Sequence, residues 1–92
     1  MRLNQETFNL INDEFERAYA KHNGYTPASH DMTDRDRLVI LVEEVGEVAR
    51  AMTYDNGDEI ELIKELVQVA AMACAWLESR KEIINVCNGN IQ

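Results

Sequence analysis

The chain has 92 residues, 46% of them apolar, and its 17 acidic against 9 basic side chains leave a formal charge of −8. That balance excludes a protein whose affinity rests on neutralising nucleic-acid phosphates or an anionic membrane surface, so neither nucleic acid nor membrane is an expected partner. A polyphosphate stays within reach if a divalent cation stands between the two negative partners.

The length suits one domain over 1–92, and a chain this short buries only about 60% of the surface it exposes on unfolding, so it is marginal as a monomer. Aromatic residues are few and proline occurs once, at Pro27, which favours helices over a turn-rich sandwich or barrel. The expected fold class is all-α. Cys74 lies in an apolar helical run and Cys87 near the end of the sequence, a placement that does not form a disulfide framework and fits a reducing compartment. The opening Met-Arg-Leu-Asn-Gln-Glu turns charged within a few residues and lacks the apolar segment of a secretory signal, so a cytoplasmic location is expected. The longest apolar run, Val69 to Leu77, is about half of what a bilayer-spanning helix needs.

In chain order, a first helix is expected from about Asn4 to His22, with Phe8, Ile11, Phe15 and Ala18 along one face. Asn23-Gly24 stops it, and 23–33, with Gly24, Pro27 and Ser29, reads as a loop over one end of a bundle. Thr33, with Asp36 three residues on, opens a second helix to about Thr53, and Asp55-Asn56-Gly57 closes it. Asp58, with Glu61 three residues on, caps a third helix from about 58 to 82, and a polar tail over 85–92 is expected to fray. The short turn makes the second and third helices an antiparallel hairpin within a bundle of three helices, or four.

On the second helix, Leu38, Leu41, Val42, Val45, Ala49 and Met52 form the expected buried stripe. Glu44 and Glu47 lie outside it, in a narrower stripe with Ile40 and Ala51, so two carboxylates stand among apolar neighbours. The third helix repeats the arrangement: Ile63, Leu66, Val67, Ala70, Cys74 and Leu77 form the expected buried side, and Glu65 and Gln68 share the other with Met72 and Trp76. A helix apolar on two sides calls for more cover than three helices provide, and a partner subunit is the simplest cover. Both polar pairs stand roughly 14–18 Å from the turn at a rise of about 1.5 Å per residue, hence at one height in the hairpin.

Glu44, Glu47, Glu65 and Gln68 thus offer a cluster of oxygen ligands, and crowded carboxylates repel unless protonated or bridged by metal. Oxygen-only donors favour Mg²⁺ or Mn²⁺ over zinc. A solvated Glu-x-x-Glu face is the plainer alternative. Arg50 and Lys64 lie within a turn or two of the carboxylates and suit either phosphate oxygens or surface charge balance; Trp76 and Phe15 suit either base stacking or packing. His22 and His30 have no partners at zinc spacing, and His22 belongs near the end of its helix.

Glu43-Glu44-Val45-Gly46-Glu47, followed by Glu65-Leu66-Val67-Gln68-Val69, resembles the paired EExxE and ExxD motif of the MazG-like pyrophosphohydrolases. Val48-Ala49-Arg50-Ala51 and the small residues after the second motif extend the resemblance over about 36–78. It implies an all-α core assembled as a homo-oligomer, dimer or tetramer, that hydrolyses nucleoside or deoxynucleoside triphosphates between the α and β phosphates, with Mg²⁺ as usual cofactor. Carried over by residue, it implies Glu44, Glu47, Glu65 and Gln68 as metal ligands and Glu43 as the group that orients or deprotonates the attacking water. Gln68 departs from the pattern, which usually has aspartate there: a glutamine carbonyl ligates without charge. That departure keeps open an alternative, a catalytically degenerate helical module that binds nucleotide or a partner without cleavage.

Overall fold

A computed structural model describes residues 1–54 and 58–91, which form four helices: α1 (Gln5–Lys21), α2 (Asp34–Tyr54), α3 (Glu59–Glu78) and α4 (Lys81–Ile91). No strand occurs among the described residues. The expected turn at Asp55-Asn56-Gly57 lies outside them. No helix of the described residues is long and apolar enough to cross a membrane.

The helix ends follow from local chemistry. The Asn4 side chain accepts from the Glu6 N–H and opens α1, and His22 follows its last turn as C-cap. There the chain leaves the helix through Asn23 and Gly24 at φ of 54° and 84°, with the Gly24 N–H on the Tyr19 carbonyl. Thr33 Oγ1 accepts from the Asp36 N–H ahead of α2, and the Asp58 carboxylate accepts from the Ile60 and Glu61 N–H groups ahead of α3.

The third helix ends at Glu78, four residues short of expectation, and a separate helix over 81–91 takes in 85–91 of the tail that was expected to fray. The break has a chemical cause. Ser79 Oγ donates to the Trp76 carbonyl, and the Arg80 N–H bonds to Leu77 in a tighter turn, so the backbone ladder is interrupted and restarts at Arg80.

The helix α3 packs against both α1 and α2. Its partner α2 runs antiparallel: Asp34, at the start of α2, meets Trp76 and Arg80, at the end of α3, and Glu44 meets Gln68 further along. The buried centre is Ala18, Ala71 and Met72, with Ile11, Ile40 and Leu41 against it.

The faces that point inward differ from the expected ones. On α2, Leu38, Val42, Val45 and Met52 are 51, 59, 52 and 60% exposed, and Ala49 is exposed as well, whereas Arg37 and Ala51 are buried and Ile40, Leu41, Glu44 and Val48 half-buried. The inward face is therefore rotated by roughly 100° from the apolar stripe, about one residue step of the helix. On α3, Ile63, Leu66, Cys74 and Leu77 are exposed, while Ala71, Met72 and Ala75 are buried. Alanine explains the choice: Ala51, Ala71 and Ala75 let the helix backbones come close, and the larger aliphatic side chains are left outward.

Candidate functional site

Because the narrow faces point inward, Glu44, Glu65 and Gln68 come together between α2 and α3. The Gln68 amide, turned so that its nitrogen faces the carboxylates, donates to Glu44 Oε2 at 2.9 Å and Glu65 Oε2 at 3.1 Å. Burial pushes the Glu44 carboxyl above the ordinary glutamate range, and the charges of Glu65, Glu47, Glu14 and Glu43 push the same way. A position that disfavours its own negative charge is one that a cation, a proton or an N–H donor would stabilise.

Glu14, from α1, is a member of this group that sequence reading missed. Its side chain is 13% exposed, and the Arg17 guanidinium holds it through Nε at 2.8 Å and a terminal nitrogen at 2.7 Å. The signal was available: Ile11, Glu14, Ala18 and Lys21 recur at three- and four-residue steps, which puts Glu14 on the row that carries buried Ala18. Beside these residues opens a cavity of about 390 Å³, walled by Glu14, Arg17, Lys21, His22 and Tyr25 on one side and Glu43, Glu44 and Gln68 on the other.

The remaining candidates are dispersed. Glu47 is exposed and lies with Glu43, Gly46 and Arg50 along an open groove on the outer side of α2, so it does not share the inward row with Ile40, Glu44 and Ala51. The reason is angular: Glu47 is three residues from Glu44, a step of about 300°, and the inward arc turns away before reaching it. Glu43 borders both that groove and the cavity. Lys64 is exposed, pairs with Glu61 at 3.6 Å and lines a second groove beside Gln68.

Trp76 stands at the other end of the hairpin. Its indole N–H donates to Asp34 Oδ1 at 3.1 Å, and its ring lines a shallow groove with Leu41, Ala73, Leu77 and Arg80. Asp34 also receives Arg80 at 2.6 Å and Arg37 at 2.7 Å. The Arg37 guanidinium, supported by Arg80 and the Trp76 indole, holds the Asp34 carboxyl below the usual carboxylate range. Arg37 itself is buried, and it donates to the Pro27 carbonyl at 2.7 Å and the Ser29 carbonyl at 2.6 Å. It therefore fixes the loop that carries Tyr25, Pro27 and Met32 to the cavity wall.

Among the described residues, no three His, Cys, Asp or Glu side chains are arranged to hold a metal ion by themselves. The group standing between Glu44 and Glu65 is the Gln68 amide. The donor chemistry fits a hard divalent cation all the same: two carboxylates and an amide that offers oxygen on rotation, at a position where negative charge is in excess. Comparison of the chain with known protein families, with curated proteins and with solved structures finds no match.

Proposed function

We propose that this chain is a metal-dependent nucleotide pyrophosphohydrolase of the MazG-like type, cleaving nucleoside or deoxynucleoside triphosphates to monophosphate and pyrophosphate. What carries the reading is the meeting of Glu44 and Glu65 at Gln68, beside a 390 Å³ cavity whose wall includes Glu14, Glu44 and Gln68. That size suits a nucleotide. The excess of negative charge suits Mg²⁺ or Mn²⁺, which when bound would neutralise the triphosphate and acidify its water.

In this reading Glu44 and Glu65 supply carboxylate oxygens, and Gln68 supplies its amide oxygen after rotation. Water adds at one phosphorus of the α–β anhydride, the bridging P–O bond breaks, and the electron pair leaves on the bridging oxygen with the other product. The water proton passes to Glu43, which borders the cavity. The exposed apolar rows on α2 and α3 support self-association in the cytoplasm, as dimer or tetramer.

The experiment is pyrophosphate release from a panel of nucleoside and deoxynucleoside triphosphates with Mg²⁺, with Mn²⁺ and with chelator. Metal-dependent release that Glu65→Gln abolishes, with helicity retained, is the expected result. No release from folded protein under any metal refutes the reading. A second reading, a helical module that binds without cleaving, is favoured by one observation: the Gln68 amide satisfies both carboxylates without a cation.

A further inference from the structure

Two apolar surfaces stand free near the end of α3. The first is α4. Ile83, Ile84, Val86 and Cys87 fall on one side of it, and Lys81, Glu82, Asn85 and Asn88 on the other. Ile83 and Val86 are 61 and 63% exposed, and Cys87 is exposed with them. Among the described residues α1 and α2 pack on α3, whereas α4 packs on no helix to a comparable extent. A helix of 11 residues is marginal in water without such cover.

The second surface is a groove of about 340 Å³ between α1 and α3. Leu3, Phe8, Ile11, Phe15 and Cys74 line it, with Asn12 and Glu78 as its polar residues. The α4 of the same chain starts on the other side of α3: only Ser79 and Arg80 separate the two helices, and Arg80 stands beside Leu41 and Trp76, bound to Asp34 of α2 at 2.6 Å.

The chemistry of α4 selects its cover. Its polar side lacks the run of Lys and Arg by which an amphipathic helix lies on an anionic membrane. Its apolar side presents anchors at i, i+3 and i+4, the spacing with which a helix enters an apolar groove. From Ser79 onward the only charged side chains are Arg80, Lys81 and Glu82, in a chain of net charge −8. This segment can therefore approach an acidic copy of the same chain without repulsion, and the cations at its start suit the Glu78 carboxylate of the groove. We infer that α4 of one copy lies in the α1–α3 groove of a second copy, and that the second copy's α4 lies in the groove of the first. One two-fold contact then covers both free surfaces in both copies. The exchange uses neither Val42 nor Val45, stands independently of the catalytic reading, and brings Cys87 of one copy to the groove that Cys74 lines in the other.

The test is oxidation of the full chain at low concentration with copper–phenanthroline, read on non-reducing gels beside sedimentation. Two thiols join only when their Cα atoms come within about 7 Å. Wild type is expected to give a cross-linked dimer. Cys74→Ser and Cys87→Ser are each expected to give none, and an equal mixture of the two, unfolded and refolded together, to recover it. Ile83→Glu with Val86→Glu, and separately Phe8→Glu, are expected to halve the sedimenting mass with helicity retained. A dimer cross-linked in Cys74→Ser alone places α4 against α4 and overturns the exchange. A disulfide closed within one chain shows α4 in its own groove and overturns it as well. So does wild-type protein that forms no cross-linked dimer, or a mass that neither set of charges moves.

Discussion

Replacing Arg37 by methionine keeps a long, flexible side chain in place but removes every donor. The guanidinium is 4% exposed and serves three acceptors: the Pro27 carbonyl, the Ser29 carbonyl and Asp34. Asp34 retains Arg80 and the Trp76 indole, so its loss is the smaller one. The two loop carbonyls lose charge-assisted donors at about 1.5 kcal/mol each, giving a destabilisation of about 3 kcal/mol. At roughly 4–8 °C per kcal/mol for a domain of this size, the melting temperature falls by about 12–24 °C. Circular dichroism melts at one protein concentration provide the measurement, since self-association shifts the midpoint by mass action. Arg37→Lys, which keeps the charge without the fork, is expected to fall between wild type and methionine. A loss below about 1 kcal/mol for Arg37→Met refutes the argument that this buried fork holds the 24–32 loop.

Gln68→Asp exchanges the bridging amide for another carboxylate. Cation-free stability is expected to fall and the thermal gain from Mg²⁺ or Mn²⁺ to exceed that of wild type; an unchanged response to cation contradicts the bridging role of Gln68. For Glu44, whose folded carboxyl is raised, the unfolded chain releases its proton first, at about pH 4.3. The stabilisation from its neutral form is complete below that value and is lost as pH rises through the raised folded one, so chelated protein should weaken over this window and Glu44→Gln should flatten the curve. Asp34 acts with the opposite sign: its contribution is present above about pH 3.9 and fades as pH falls through the depressed value, a loss that Asp34→Asn melts should lack. Val42→Glu with Val45→Glu places charge on the exposed α2 row, where burying each valine contributes about 1.5–3 kcal/mol. Sedimentation should then show smaller particles with helicity intact, and an unchanged mass shows that this row is not the contact.

Helix positions and caps were legible because they depend on neighbours in sequence: Asn4, Thr33 and Asp58 each satisfy an N–H two or three residues on. The end of α3 was not, although its cause is local: Ser79 Oγ on the Trp76 carbonyl and the Arg80 N–H on Leu77 interrupt the ladder, and a serine within a run of helix formers does not announce that break in the sequence. The pairing of Glu44 with Glu65 and Gln68 was readable from equal distances to the turn. The outward position of Glu47 was not, since a spacing of three permits two residues to share a face without requiring that face to be the buried one. Glu14 and Arg37 escaped for a related reason: a charged residue on an apolar row reads as an interruption until its partner is known.

The misassigned faces carry the larger consequence. A helical wheel ranks faces by hydrophobicity, and on α2 it ranks Leu38, Val42, Val45 and Met52 above the row of Arg37, Glu44 and Ala51. Within one chain the lesser row faces inward, because small residues, Ala51 near one end of the α2–α3 hairpin and Ala71 and Ala75 toward the other, permit close helix packing, and the greater row is left more than half exposed. Hydrophobicity reports how much burial a face gains in total, and it does not say whether the covering surface belongs to the same chain. The two rows adjoin on α2, so whatever covers the outer one also bounds the groove that holds Glu43, Glu47 and Arg50. Under the self-association proposed above, those residues gain their final neighbours only in the assembly. Glu47, outward in the single chain, is accordingly the position at which losing the assembly and losing the metal should have the same effect. A Val42→Glu, Val45→Glu variant that stays helical yet loses metal-dependent pyrophosphate release would connect the two, whereas full activity in a dissociated chain would leave Glu44, Glu65 and Gln68 sufficient by themselves.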